Sequence, residues 1–189
     1  NVVVGDEAGT AITTGDENTL VGYLSGDALT VGGSNVGIGV NALTADTQGF
    51  NSVAVGQRTL EAQNFTTNTD SFNTAVGSRA GQSVTTGISN TLIGGTAGDA
   101  LTEGTRNTAV GISALSGDTL GSKAVAIGRN ALLAQNFTTA TDDYNVAVGD
   151  SAGASVTTGI RNVLIGALAG DAFTDADRNT AIGFASLST

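Results

Sequence analysis

Cysteine and histidine are both absent from this chain of 189 residues. No disulfide, thiolate nucleophile, histidine base or ordinary zinc site can be built, which removes most familiar active-site chemistries. Bulky side chains are scarce as well: six Phe, two Tyr and no Trp stand against 28 Gly, too little volume for one globular core. A thin core, repeated along the chain, is what such a composition allows. Positive charge is the third shortage. Seven Lys and Arg against 17 Asp and Glu give a net charge of −10, which disfavours nucleic acid and anionic membrane and leaves neutral glycans or protein as expected partners. Apolar runs extend over only a few residues, so no membrane insertion is expected.

What the chain has instead is periodicity. Glycine recurs at residues 5, 22, 39, 56, 77, 94, 111, 128, 149, 166 and 183, a spacing of 17 interrupted twice by 21. The two long steps, Ser52 to Phe72 and Ala124 to Tyr144, share the string Ala-Gln-Asn-Phe-Thr-Thr. The larger unit is therefore three coils of 17 residues and one of 21, or 72 residues in all. Residues 1–189 form a single repetitive segment, with super-repeats 1–72 and 73–144 and an incomplete third at 145–189.

Aligned coil by coil, the residues fall into columns. Position 1 is Asn in nine coils, position 2 is always Val or Thr, position 3 is usually Ala or Leu, position 4 is always Val or Ile and position 5 is Gly, as in Asn73-Thr74-Ala75-Val76-Gly77. β-Branched residues at 2 and 4 favour a short strand. A small residue at position 8, Gly or Leu at 9, Thr at 13 and Gly at 15 predict a turn, a second short strand and another turn. No stretch carries the i, i+3, i+4 stripe of a helix. The fold class is all-β, a parallel β-solenoid of the β-roll or β-helix type, with a 21-residue coil every fourth. At about 4.8 Å per coil, eleven coils make a rod roughly 50 Å long. Position 9 alternates in pairs (Gly9, Gly26, Leu43, Leu60, then Gly81, Gly98, Leu115, Leu132), so the cross-section should vary with the four-coil unit.

Within a strand, positions 2 and 4 face one way and position 3 the other, yet neither face carries charge. Two dry faces imply packing against another chain or against the other side of a flattened coil, and a homotrimer is the simplest expected answer. The strings Asn-Thr-Ala-Val-Gly-x-x-Ala-Gly and Thr-Thr-Gly-x-x-Asn-Thr-Leu-Ile-Gly resemble repeats of phage tail fibres and of trimeric autotransporter adhesin heads, over essentially the whole chain. The resemblance implies a homotrimer of left-handed parallel β-rolls at a virion or cell surface, engaged in attachment.

Candidate sites are few. The Asn column suits coil corners, where Asn hydrogen-bonds local backbone. A Thr column at position 13 (Thr13, Thr30, Thr47, Thr85, Thr102, Thr119, Thr157, Thr174) is a candidate ligand ladder for ice or glycan if it lies exposed and flat. The 21-residue coils should project as loops, and Asn64-Phe65-Thr66 and Asn136-Phe137-Thr138 match the N-glycosylation pattern there. Paired acids occur at Asp6-Glu7, Asp16-Glu17, Asp142-Asp143 and Asp175/Asp177, and two carboxylates can cleave a glycoside. Several acids, however, recur with the 72-residue unit (Asp27, Asp99, Asp171; Asp46, Asp118; Asp70, Asp142), as solvated or structural features do. No catalytic residues are expected. The same acids could hold calcium, a hard cation, but the Gly-Gly-x-Gly-x-Asp nonapeptide is absent and no cofactor is expected. The expected role is a structural, adhesive segment of an extracellular fibre, its partner itself in a trimer or filament and then a host-surface glycan or protein. The alternatives are a self-assembling surface filament and an ice- or glycan-binding solenoid that uses the Thr ladder.

Overall fold

The computed structural model describes residues 1–188, among which there is no helix. Eleven three-residue strands, one per coil from Val2–Val4 and Thr19–Val21 through Thr91–Ile93 to Thr180–Ile182, stack in chain order into one parallel sheet. Equal coil positions pair: Val2 with Thr19, Val3 with Leu20, Val4 with Val21. The repeat length is thus the circumference of a coil. The register also survives the longer coils, where Val53 pairs with Thr74 and Val125 with Val146.

Position 3 points inward. Leu20, Ala54, Ala75, Leu92, Ala109, Ala126, Ala147 and Leu164 are fully buried, and the small residues of position 8 (Ala42, Ala80, Ala97, Ala114) join them. Volume is shared between positions within each coil. Where position 9 is Gly, strand and position-12 side chains use its space: a Cβ on Gly26 would lie 2.8 Å from Leu20 Cδ2 and 2.9 Å from Leu29 Cδ1. Where position 9 is Leu (Leu43, Leu60, Leu115, Leu132), position 3 shrinks to Gly37, Ala54, Ala109 or Ala126, and position 12 becomes Asp or Gln. The cross-section therefore alternates as the Gly/Leu pattern predicts, and side chains of neighbouring coils enter the space that a glycine leaves open.

Among the described residues, the second strand expected in every coil forms in only two places, where Gly49–Phe50 pairs with Thr69–Asp70 and Gly121–Ser122 with Thr141–Asp142. Elsewhere the backbone runs in turns, with left-handed residues at positions 7 and 17 of the coils (Leu24 φ 55°, Arg79 φ 60°, Ser113 φ 55°, Arg106 φ 60°). Its amides nevertheless still reach the neighbouring coils: Gly26 N donates to Ala42 O at 2.9 Å and Thr13 N to Thr30 O at 2.9 Å. Backbone polar groups are thereby satisfied around much of the coil.

The 21-residue coils place their extra residues in two spots. Asn64 still occupies position 13, since its N–H donates to Thr85 O, but Gly49 pairs with Thr69, so three extra residues have entered between. They form the exposed loop tips around Thr66–Asn68 and Thr138–Ala140, each anchored by a buried Phe, Phe65 or Phe137. The fourth makes a bulge, in which one residue turns inward and the next outward: Ser71 then Phe72, Asp143 then Tyr144.

Candidate interaction surface

The outer face of the long sheet is built from positions 2 and 4. Position 2 reads Val2, Thr19, Val36, Val53, Thr74, Thr91, Thr108, Val125, Val146, Val163, Thr180; position 4 carries Val or Ile in all eleven coils. Every residue of both columns is β-branched and none is charged. From the second coil on, position 3 is sealed and its two neighbours are half-buried or exposed, and Ile38, Ile93, Ile127 and Ile165 keep 38 or 39 % of their surface exposed. The sheet therefore has one face on the core and an uncharged β-branched face on the outside, aliphatic all along position 4 and mixed Val and Thr along position 2. Position 17, two residues ahead of position 2, borders this face and holds exposed Phe72 and Tyr144.

The Asn column is structural. Each buried Asn donates Nδ2 to the position-15 carbonyl of its own coil (Asn18 to Gly32 O, 2.9 Å) and accepts the N–H of the next coil's first residue on Oδ1 (Asn35 N to Asn18 Oδ1, 3.0 Å). The Thr column is held in the same manner: Thr13, Thr30, Thr85, Thr102 and Thr157 each donate Oγ1 to the next coil's Thr carbonyl, and Thr47 and Thr119 to Phe65 O and Phe137 O. Thr174 instead donates to Asp175 Oδ1. Asn64 and Asn136 stand in this column in the long coils. Both are exposed, and each accepts a threonine hydroxyl on Oδ1, from Thr47 at 3.1 Å and from Thr119 at 3.0 Å.

Composition and spacing did not reveal a buried polar centre beneath each long loop. Asp46 is fully buried, accepts from Gly49 N (3.0 Å) and Phe65 N (3.1 Å) on Oδ1, and from Gln63 Nε2 (2.6 Å) on Oδ2. Burial raises its carboxyl above the usual range even against these bonds. Asp118 repeats the arrangement with Gly121, Phe137 and Gln135. The two centres differ in their third member. In the first, Gln63 Nε2 also donates to Ser52 Oγ, which lies 2.6 Å from Ser71 Oγ. In the second, Ala124 has no hydroxyl, and Asp143 takes over, accepting from Gln135 Nε2 at 3.3 Å and from Asn145 N at 2.8 Å. Burial, with the Asp118 carboxylate nearby, pushes Asp143 up to about 7. The visible signal was the exchange of Ser52 and Ser71 for Ala124 and Asp143 at equivalent positions.

The remaining paired acids do not converge, and among the described residues no group of three or more carboxylates comes together. Asp142 bonds Lys123, which also donates to Tyr144 OH at 3.0 Å. Asp177 Oδ1 accepts from Ile160 N, and the buried Asp118 and Asp143 face no pocket among the described residues. Comparisons of the chain with protein-family models, with curated proteins and with solved structures find no match.

Proposed function

We propose that the chain is a non-catalytic structural and adhesive segment of an extracellular fibre, displayed at a virion or cell surface, in which copies pack as a homotrimer through their β-branched faces. One observation carries this reading: two columns of eleven β-branched residues lie on the outside of the sheet without a single charge, in a chain of net charge −10. Contiguous exposed apolar surface of this kind marks an interaction site. Parallel sheets are ordinarily covered on both faces. A second copy of the chain suits the uncovered face, because coils set level would meet rung for rung along the rod. The resemblance of the repeats to tail fibres and adhesin heads points the same way.

Native mass by light scattering after size exclusion tests it. A discrete trimer is expected, and Val76→Glu with Val110→Glu, two changes on the outer face, should yield a monomer with its β circular dichroism intact. A parent chain that runs as a monomer would overturn the packing, and an open polymer would replace the trimer with a self-assembled filament.

A further inference from the structure

The seven basic residues are not spread evenly. Four of them, Arg106, Lys123, Arg161 and Arg178, occupy position 17 of coils 6, 7, 9 and 10, and the intervening coil 8 puts Tyr144 there. Backbone bonds stack the column: Lys123 N donates to Thr105 O, Arg161 N to Asp143 O and Arg178 N to Ile160 O. Lys123 Nζ sits 4.9 Å from the centre of the Tyr144 ring. Five rungs therefore run in line over roughly 19 Å, four strand spacings. Arg106, Arg161 and Arg178 are exposed and, among the described residues, have no carboxylate within ion-pair distance.

The repeat supplies its own control. At the equivalent places in the preceding unit stand Ser34 for Arg106, Asn51 for Lys123, Phe72 for Tyr144 and Ser89 for Arg161, and Arg106 is followed one unit later by Arg178. The position is left-handed whichever residue fills it (Ser34 φ 57°, Ser89 φ 61°, Arg106 φ 60°, Arg161 φ 60°), so the fold does not ask for cations. Packing does not ask for the arginines either, because Arg106, Arg161 and Arg178 stand in solvent, while Lys123 is half-buried and paired with Asp142. In a chain that repels anions overall, a line of unpaired guanidinium groups is a local reversal of sign, and guanidinium forks bind carboxylate and sulfate in bidentate pairs. We infer that the column Arg106–Lys123–Tyr144–Arg161–Arg178 binds an anionic polysaccharide laid along the rod, its acid groups on the arginines and a sugar ring against Tyr144. A linear polymer matches a linear ladder, and a single aromatic rung is too few for the base stacking that single-stranded nucleic acid uses. The inference gives a ligand class to the attachment role proposed above and rests on that reading.

Binding of polygalacturonate and of dextran sulfate to the full chain, by titration calorimetry at two salt concentrations, tests it, with neutral dextran and a single-stranded oligonucleotide as controls. The informative variant installs residues that earlier units carry at these places: Arg106→Ser, Lys123→Asn, Arg161→Ser and Arg178→Ser together, a set the same coil positions already accommodate. Salt-sensitive binding of either acidic polysaccharide, weakened at least about tenfold in the variant, is expected. Equal binding by the variant, no binding of either acidic polymer, or tighter binding of the oligonucleotide would overturn the assignment. Native mass measured on the same samples separates the two readings: lost binding with an unchanged trimer identifies a ligand ladder, whereas a variant that falls apart identifies a seam between subunits and overturns the ladder.

Discussion

At position 5 of the coil, glycine answers two separate demands. Gly77 has φ +130°, and a Cβ there would lie 2.6 Å from the carbonyl carbon and oxygen of Gly94 in the next coil. Gly183 shares the conformation, φ +122°, but nothing in the structure lies within 4 Å of its Cβ direction. The pair separates strain from collision. Gly183→Ala should cost about 1–3 kcal/mol, the scale of a strained backbone conformation alone. Gly77→Ala should cost more, about 4 kcal/mol, because two coils must also move apart. Chemical denaturation of both variants checks the order, and equal losses would mean that inter-coil spacing does not dictate the glycine column. The buried asparagines invite a similar comparison. Asn90→Ala strands the N–H of Asn107 and the carbonyl of Gly104, and should cost about 2–4 kcal/mol for two unmade buried hydrogen bonds.

The coil is the scale at which the asparagine ladder is broken and repaired. Coils 4 and 8 open on Ser52 and Ala124, which have no amide to offer the next coil, and the bulge residue substitutes for it, with Asn73 N donating to Ser71 Oγ and Asn145 N to Asp143 Oδ1. The second repair uses a carboxyl whose ionisation the fold opposes. With its folded value near 7 against an ordinary 3.8, Asp143 is protonated in the fold while already ionised in the unfolded chain between those limits. Its contribution is fully present below about pH 4 and is lost as pH rises through about 7. Thermal midpoints should therefore fall from pH 5 to pH 8. Asp143→Ser with Ala124→Ser, which copies the first centre, should flatten that fall, and an unchanged slope would show that Asp143 is not its source. Much of the coil was legible beforehand because eleven copies repeat each constraint: Asn73, Val76 and Gly77 stand in columns that name their own structure. The turn-rich side was not. Position 7 holds Glu7, Leu24, Asn41, Arg58 and Arg79, all with positive φ and with no residue type in common, so only the backbone pairing between coils requires that conformation. Asp46 and Asp118 resembled surface acids in the sequence, and their burial follows from the Leu at position 9 of the same coil, which fills the apolar side of that level. The basic column at position 17 was obscured by the strongly negative total.

Along the whole rod, neighbouring coils fit only in a set order. Leu60 at position 9 reaches into the space above Gly81, whose absent Cβ would lie 2.9 Å from Leu60 Cδ2 and 2.7 Å from Leu92 Cδ1. Coil 5, with Ala75 and Gly81, is thus a thin layer between two coils that each carry a large leucine. Coil 9 is the equivalent layer in the next unit, where Gly153 lies between Leu132 and Leu164. Stability in stacked repeats is close to a sum of each coil and its interfaces. Counting coils alone, a deletion of 17 residues should be milder than one of 72. The packing order predicts the opposite. Removing residues 73–144 joins Phe72 to Asn145 and sets Leu60 over Gly153, reproducing an interface the protein already uses, so the shortened rod should melt cooperatively within about 10 °C of the parent. Removing residues 73–89 instead brings Leu60 onto Leu92, with no thin layer between them. That overpacked level should cost about 1–3 kcal/mol beyond the lost coil. Circular dichroism melts of the two deletions decide the matter: a lower midpoint for the 17-residue deletion than for the 72-residue one makes the four-coil unit the true building block of the solenoid, and the reverse order would reduce it to a chain of interchangeable coils.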